Sequence, residues 1–79
     1  MYFVYVLCNP EGRLYIGFTT DLSLRVLQHQ DDEGGWTKGK GPWELVHQEE
    51  FVDRALVMRR EKALKSGRAN EELRRRFDR

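Results

Sequence analysis

Five side chains of the types that act in phosphate chemistry are spread along this 79-residue sequence: Tyr5, Tyr15, Arg25, His29 and Glu61. A single hard carboxylate can hold one Mg²⁺ ion that keeps most of its waters and takes a phosphate oxygen. A guanidinium neutralises charge on a phosphate undergoing cleavage, a geometric match that lysine makes less well. With two phenols and an imidazole, which can position water or transfer protons, these residue types suit hydrolysis of a phosphodiester.

Two other kinds of site are excluded by the residue types. The sequence pairs no serine or cysteine with a plausible base, as a hydrolase triad requires. Its one cysteine, Cys8, and two dissimilarly placed histidines do not provide tetrahedral zinc ligation. The position of Cys8 on the first predicted strand indicates a buried small hydrophobic residue.

The two tyrosines are positioned by a predicted β-hairpin over residues 4–17. Its turn, Asn9-Pro10-Glu11-Gly12, has Asn, Pro and Gly where a type I turn favours them. This pattern favours a three-residue connection in which Gly12 adopts positive φ as a bulge and Asn9 pairs with Arg13.

That register places both tyrosines on one face of the sheet. Leu7 then faces Tyr15 and Tyr5 faces Gly17, and opposed residues share a face, whereas a two-residue loop would separate the tyrosines. The hairpin alone also fits a purely structural role for both rings, since tyrosine is common in strands. The other face is apolar and needs a covering of helices; it comprises Val4, Val6, Cys8, Leu14 and Ile16.

A first helix is predicted from Thr19-Thr20-Asp21, as a hydroxyl cap followed by an acid, to about Gln30. Arg25 and His29 lie four residues apart and are therefore neighbours on its surface. A cation and an imidazole thus project together, although each also fits an ordinary polar position on a helix.

Residues 31–42 are polar and carry four of the seven glycines, which predicts a loop with room for one short helical turn. An aromatic ring beside lysines can stack on a base while the cations contact phosphate. Trp36, Lys38 and Lys40 offer that combination, but Trp36 also fits a plug at the edge of a small core.

A third strand is predicted over residues 43–51, with Trp43, Leu45 and His47 on one face. Asp53 is then expected to cap a helix that runs to about Ser66 and stops at Gly67. The apolar face of this helix has Glu61 at its border, where a carboxylate can be held by the core and still reach a cleft; that face comprises Leu56, Val57, Ala63 and Leu64.

A last helix is predicted over residues 73–77, with Asn70 as its cap. The basic run Arg74 to Arg76 at its end suits the helix dipole and contact with nucleic acid equally well.

Composition indicates one domain, residues 1–79, with 39% hydrophobic and 34% charged residues. A net charge of +1 argues against strong nonspecific binding to nucleic acid. No apolar run approaches the roughly 18 residues of a membrane span, and the N-terminus lacks a basic region and a cleavage site. A cytoplasmic protein without membrane contact is therefore expected.

The sequence resembles the GIY-YIG nuclease superfamily in two short motifs, Val4-Tyr5-Val6 and Tyr15-Ile16-Gly17. Nearly the whole chain takes part in the resemblance, which is strongest to the small single-domain bacterial members and to the N-terminal domain of the excision-repair incision subunit. Further matching positions follow in order: residues 18–22, Arg25, His29, residues 36–37, 42–46, 55–56, 60–62 and 64–67.

The resemblance implies an α+β fold, with a three-stranded antiparallel sheet flanked by helices. The expected order is two strands, a helix, an optional short helix, a third strand and two further helices. It also implies cleavage of DNA that depends on Mg²⁺ or Mn²⁺, in repair or recombination.

The resemblance further assigns roles to the five side chains. Tyr5 is the candidate general base or a water-positioning phenol, and Tyr15 orients the phosphate or assists the nucleophile. Arg25 stabilises the transition state, His29 relays a proton or binds phosphate, and Glu61 is the metal ligand. A phenol with an ordinary pKa of about 10 is a poor base at neutral pH, so nearby cations or the metal must lower its pKa.

DNA contacts are expected from six residues: Gly17, Trp36, Lys38, Lys40, Lys65 and Asn70. A protein partner that supplies the targeting is a further expectation. Two departures from the family pattern matter. Repair-type members carry a lysine where this chain has Phe18, and Asn70 lies closer to the glutamate than the corresponding asparagine of the homing enzymes. The alternatives are a nucleic-acid-binding or partner-docking module with a weak or inactive site, and a protein-interaction domain with structural tyrosines.

Overall fold

The structure, a computed structural model, describes residues 1–30 and 39–77. Its three antiparallel strands form one sheet in the order β2-β1-β3, and three helices pack around it. The α+β class and the three-stranded antiparallel sheet are therefore as predicted. The elements are β1 (Tyr2–Cys8), β2 (Leu14–Thr19), α1 (Leu22–Gln30), β3 (Glu44–Phe51), α2 (Arg54–Leu64) and α3 (Gly67–Phe77).

The optional helix between α1 and β3 is not matched. Residues 31–38 lie outside the described residues, and residues 39–42 are not helical. The longest described helices, α2 and α3, have 11 residues each, well short of the roughly 20 that a membrane-spanning helix needs. Within the described residues, no helix qualifies as a candidate span.

The hairpin turn has the predicted three-residue form. Gly12 has φ 84°, and the backbone N–H of Asn9 donates to the carbonyl of Arg13 at 3.0 Å. Tyr5 consequently faces Gly17, and Leu7 faces Tyr15. The bulge at Gly12 is what brings both tyrosines to one face of the sheet.

The third strand departs from the predicted alternation of faces. A register shift falls between Val6 and Leu7, which pair with His47 and Leu45. The extra residue, Val46, forms a bulge, after which the remaining side chains change face. His47 therefore lies on the face of Val6 and not, as predicted, on the face of Leu45.

One face of the sheet is covered by α2 and α3, as the apolar set on the hairpin requires. Val57 and Leu64 of α2 and Leu73 of α3 are buried against Val4 and Val6. The predicted apolar face of α2 was wrong in part. Leu56 and Ala63 are exposed, because the buried line runs through Val57 and Leu64, two turns apart.

The other face of the sheet carries a second, smaller core beneath α1. Tyr5, Leu7 and Trp43 are each no more than 2% exposed, and Leu22 and Val26 of α1 pack against them. The aromatic ring of Tyr5 is thus part of a core at the same time as it presents a hydroxyl to α1.

The helix ends follow capping chemistry with small differences from prediction. Asp21 itself caps α1, since its Oδ1 accepts from the N–H of Leu24 at 3.1 Å. Asp53 caps α2 as predicted, at 2.7 Å from the N–H of Ala55. The expected stop at Gly67 is displaced, because α2 already ends at Leu64 and Gly67, with φ 69°, is the first residue of α3.

Asn9 is the buried polar residue that holds the turn. Its side chain is 1% exposed, and its Oδ1 accepts from the N–H groups of Glu11 at 3.1 Å and Arg13 at 2.8 Å. Its Nδ2 donates to the carbonyl of Lys40 at 3.1 Å. Asn9 thereby ties the hairpin turn to the chain that leads into β3.

Replacing Asn9 with alanine should lower the free energy of unfolding by about 2–4 kcal/mol, because three partly buried hydrogen bonds lose their partner. Urea denaturation measures this loss. Glu11→Ala, an exposed change in the same turn, serves as the control and should cost less than about 0.5 kcal/mol. Equal losses in the two variants would contradict this account of the turn.

Candidate active site

The hydroxyl of Tyr5 is the meeting point of the candidate site. Its Oη lies 3.0 Å from Nε2 of His29, and Nε of Arg25 donates to it over a longer 3.4 Å. The tautomer of the His29 imidazole sets which of the two groups donates in that contact. Arg25, Tyr5 and His29 thus form one hydrogen-bonded chain.

The second tyrosine completes the cluster. The ring centre of Tyr15 lies 6.2 Å from that of Tyr5 and 4.7 Å from that of His29. Tyr5 and Tyr15 come from paired strands, whereas Arg25 and His29 come from one face of α1. Four of the five residues selected from the sequence are therefore brought together.

Arg25 is held by a residue that the sequence reasoning missed. Its Nη1 donates to Oε1 of Gln28 at 3.1 Å. The sequence could have indicated this contact, because residues three apart on a helix are neighbours. This contact limits the conformations of the guanidinium before any substrate binds.

Gly17 has a structural reason to be glycine. A Cβ at this position would lie 2.8 Å from Oη of Tyr5 and 3.3 Å from the ring of Tyr15. Gly17 is also buried. Its role in the structure is to leave room for the Tyr5 phenol, which differs from the predicted contact with nucleic acid.

Burial and charge act in opposite directions on Tyr5. Burial raises its pKa to about 12, against a lowering by the hydrogen bond from Arg25 and a smaller raising by Tyr15. The pKa of His29 is lowered, first by burial and then by the positive charge of Arg25. At neutral pH the chain therefore joins a neutral phenol to a neutral imidazole, with a cation beside them.

The raised pKa of Tyr5 disfavours its deprotonation at neutral pH and therefore does not favour Tyr5 as the general base. Tyr5 is 1% exposed and His29 is 0% exposed, so neither faces bulk water. Tyr15 and Arg25 are only half-buried. The geometry agrees better with the second role predicted for Tyr5, that of a positioning phenol, and leaves Tyr15 and Arg25 as the groups that can touch a substrate.

Glu61 comes from a different helix than Arg25 and His29. It lies on α2, which covers the opposite face of the sheet, and its Oε2 is 3.6 Å from Nζ of Lys65. A shallow pocket of about 220 Å³ connects the two regions, since Tyr15 and Lys65 both line it. Tyr15 and the ion-pair partner of Glu61 therefore line the same pocket.

The donor set agrees with only one kind of metal site. Among residues 1–30 and 39–77, no group of three or more His, Cys, Asp or Glu side chains could hold an ion. A lone half-buried carboxylate, Glu61, suits a Mg²⁺ or Mn²⁺ ion that keeps most of its waters. Such an ion would compete with Lys65 for the carboxylate.

Among the residues predicted to contact nucleic acid, Trp36 and Lys38 lie outside the described residues. Lys40 is half-buried, and its backbone carbonyl accepts a hydrogen bond from Nδ2 of Asn9. Lys65 is exposed beside the pocket that Tyr15 lines.

Asn70 also lines this pocket, but the prediction that it caps its own helix is wrong. Its Nδ2 donates to the carbonyl of Leu64 at 2.7 Å, which satisfies the end of α2. Its Oδ1 accepts from Nε of Arg74 at 3.0 Å.

Phe18 occupies the position at which repair-type members of the family carry a lysine. It is half-buried and packs against the core under α2 and α3. Among the described residues, Arg25 is the cation that interacts with the Tyr5 hydroxyl, and its effect does not outweigh burial.

Comparison with known proteins places this geometry in a family context. A family model described as the GIY-YIG catalytic domain matches residues 1–77. A UPF0213 protein of Natronomonas pharaonis is 42% identical over 73 residues, which cover 90% of this chain and 86% of that protein. A UPF0213 protein of Staphylococcus epidermidis is 33% identical over 73 residues, with 91% and 89% covered.

A solved structure is also similar. The solution NMR structure of the UPF0213 protein BH0048 from Bacillus halodurans has a TM-score of 0.57 and 34% sequence identity. The match covers 92% of this chain and 81% of the other. The fold and the order of the motifs therefore agree with one family across the chain.

Gly17→Ala should destabilise the protein by about 1–3 kcal/mol, because the added methyl group overlaps the Tyr5 phenol. Urea denaturation in two backgrounds tests the cause. In Tyr5→Phe, which lacks the nearest atom, the same substitution should cost less. An equal cost in both backgrounds would show that the strain lies elsewhere.

The buried neutral His29 predicts a loss of stability in acid. In the unfolded chain histidine has its ordinary pKa near 6.5, whereas in the folded protein the pKa is lower. Between these values the unfolded state binds more protons, so the free energy of unfolding falls as pH decreases through 6.5 toward the lower folded pKa. The urea midpoint should therefore be lower at about pH 5.5 than at about pH 7.5.

His29→Gln provides the control for this pH effect. The variant cannot titrate at this position, so its stability should change less over the same pH interval. The difference between the two pH dependences is the quantity to measure, since the substitution can also shift absolute stability. Identical pH dependences would contradict the buried, neutral state of His29.

Proposed function

Because this chain belongs to the GIY-YIG family of nuclease domains, we propose that it is a metal-dependent endonuclease that hydrolyses phosphodiester bonds in DNA. UPF0213 relatives share most of its length, but their names state no activity. The proposal therefore depends on the family and on the chemistry of the site.

The observation that carries the proposal is the hydrogen-bonded chain from Arg25 through Tyr5 to His29. Holding a guanidinium in a fixed position costs rotamer entropy, and here Tyr5 and Gln28 both bind it. Such an arrangement is useful where a planar cation must meet a phosphate in one orientation. A purely structural tyrosine has no need of this arrangement.

The exposure of the four clustered residues divides their roles. Arg25 and Tyr15 are half-buried and would contact the scissile phosphate, the first by neutralising its charge and the second by donating a hydrogen bond. Tyr5 and His29 are buried and neutral, and would hold these two groups in place.

Glu61 would hold the metal ion, Mg²⁺ or Mn²⁺. When bound, such an ion supplies Lewis-acid stabilisation of phosphate oxygens. Lys65 would leave the carboxylate and remain at the pocket as a cation for the substrate.

A structure-directed nick in repair or recombination is the proposed cellular role. A partner protein would supply substrate targeting. A nucleic-acid-binding or docking module with a weak site is the second candidate. It is favoured by one observation, namely that the carboxylate of Glu61 is already paired with Lys65.

Purified protein incubated with nicked, branched and single-stranded DNA should cleave at least one substrate only when Mg²⁺ or Mn²⁺ is present. Glu61→Gln and Arg25→Lys should each slow cleavage by about 100-fold or more, since each removes electrostatic stabilisation of the transition state. Gel separation of end-labelled strands measures the rates.

The matched controls are Glu71→Gln and Arg75→Lys on α3, two exposed positions that undergo the same chemical changes. Their rates should stay within about twofold of the parent. Cleavage that survives Glu61→Gln would eliminate the proposed metal site. Salt-sensitive binding without any cleavage would instead support the binding-module alternative.

A further inference from the structure

A continuous groove runs along the outer edge of β2, beyond the four clustered residues. The pocket lined by Tyr15 also contains Leu14 and Arg74. A second depression, of about 430 Å³, reaches the hairpin turn at Arg13 and is again lined by Leu14 and Arg74. The shared residues make the two depressions one groove from Tyr15 to the turn.

The fold leaves this edge available. In the strand order β2-β1-β3, β2 is an outer strand, and α3 runs beside it. Leu14 provides an apolar floor, and basic residues stand on the rims: Arg13 from the hairpin, Arg74 from α3 and Lys65 from the end of α2.

Arg74 is positioned before any ligand binds. Its Nε donates to Oδ1 of Asn70 at 3.0 Å, and Asn70 is itself anchored to the carbonyl of Leu64 at 2.7 Å. Preorganisation of this kind lowers the entropic cost of binding. A guanidinium can still present its remaining N–H groups to a phosphate as a planar pair.

The groove is also mixed in charge. Glu11 lines it, and its carboxylate lies 4.0 Å from Nε of Arg13. Both side chains are more than half exposed, so this ion pair is weak in water. An arriving phosphate would compete with Glu11 for the same guanidinium.

We propose that this groove binds the phosphodiester backbone of one nucleic-acid strand next to the cleaved phosphate, with Arg13 and Arg74 each contacting a phosphate. The inference depends on the proposed function, because the cleaved phosphate is placed at Tyr15. Contacts from guanidiniums to phosphates position a strand without reading its base sequence. The path leads the strand from Tyr15 past β2 toward the turn at Gly12.

Fluorescence anisotropy with a labelled single-stranded oligonucleotide, in EDTA so that no cleavage occurs, tests the groove over a range of salt concentrations. Each phosphate contact contributes about 0.7 to the slope of log affinity against log salt for a single strand. Arg13→Gln and Arg74→Gln should each reduce the slope by about 0.7, and the double variant by about 1.4. Glu11→Gln should tighten binding, because it removes the competing carboxylate.

Two control variants keep this test specific. Arg75→Gln removes the same charge at the next residue of α3, which points about 100° away around the helix, and should change the slope less than Arg74→Gln. Arg74→Lys should retain most of the slope. If Arg74→Gln failed to fold by circular dichroism, Arg13→Gln and Arg74→Lys would still decide the question.

The outcomes separate this inference from the proposed endonuclease. Binding with the expected slopes but no cleavage in Mg²⁺ would support the groove and overturn the endonuclease. Cleavage together with Arg13 and Arg74 variants that bind no differently from Arg75→Gln would overturn the groove alone. Absence of any binding by the parent protein would also overturn the groove.

Discussion

The register of β1 against β2 is the constraint on which the rest of the structure depends. Gly12, at φ 84°, and the two hydrogen bonds that Asn9 Oδ1 accepts hold the turn at three residues. A shift by one residue would send every side chain of one strand to the other face. Tyr15 would then leave Tyr5, and Gly17 would no longer lie beneath the phenol.

Given that register, burial and charge determine how the candidate site behaves. The Tyr5 ring is needed in the small core under α1, and that burial raises the pKa of its hydroxyl to about 12. Arg25 opposes the rise without reversing it. The result is a neutral phenol that accepts from a cation and is hydrogen-bonded to a neutral imidazole. Such a unit is well suited to holding Arg25 and Tyr15 at a phosphate, and poorly suited to removing a proton on its own.

Local rules were enough to predict the hairpin and the pairing of Arg25 with His29, because turn residues and helical spacing act over a few positions. The face of His47 could not be predicted, since the bulge at Val46 arises from pairing with β1 and leaves no local signal. The ends of α2 and α3 near Asn70 could not be predicted either. They depend on the hydrogen bond from Asn70 to the carbonyl of Leu64, six residues earlier in the sequence. The groove beside Tyr15 needed tertiary structure, because Arg13 and Arg74 are 61 positions apart in sequence.

We infer that Tyr5 and His29 act as one unit on Arg25 and Tyr15. Single-turnover cleavage rates of Tyr5→Phe, His29→Gln and the double variant test it most directly. Residues that act as a unit give strongly non-additive effects. If Tyr5 and His29 act as one unit, the double variant should be no more than about twofold slower than the slower single variant. A double variant whose rate loss equals the product of the two single losses would show that the residues act independently and would contradict the account.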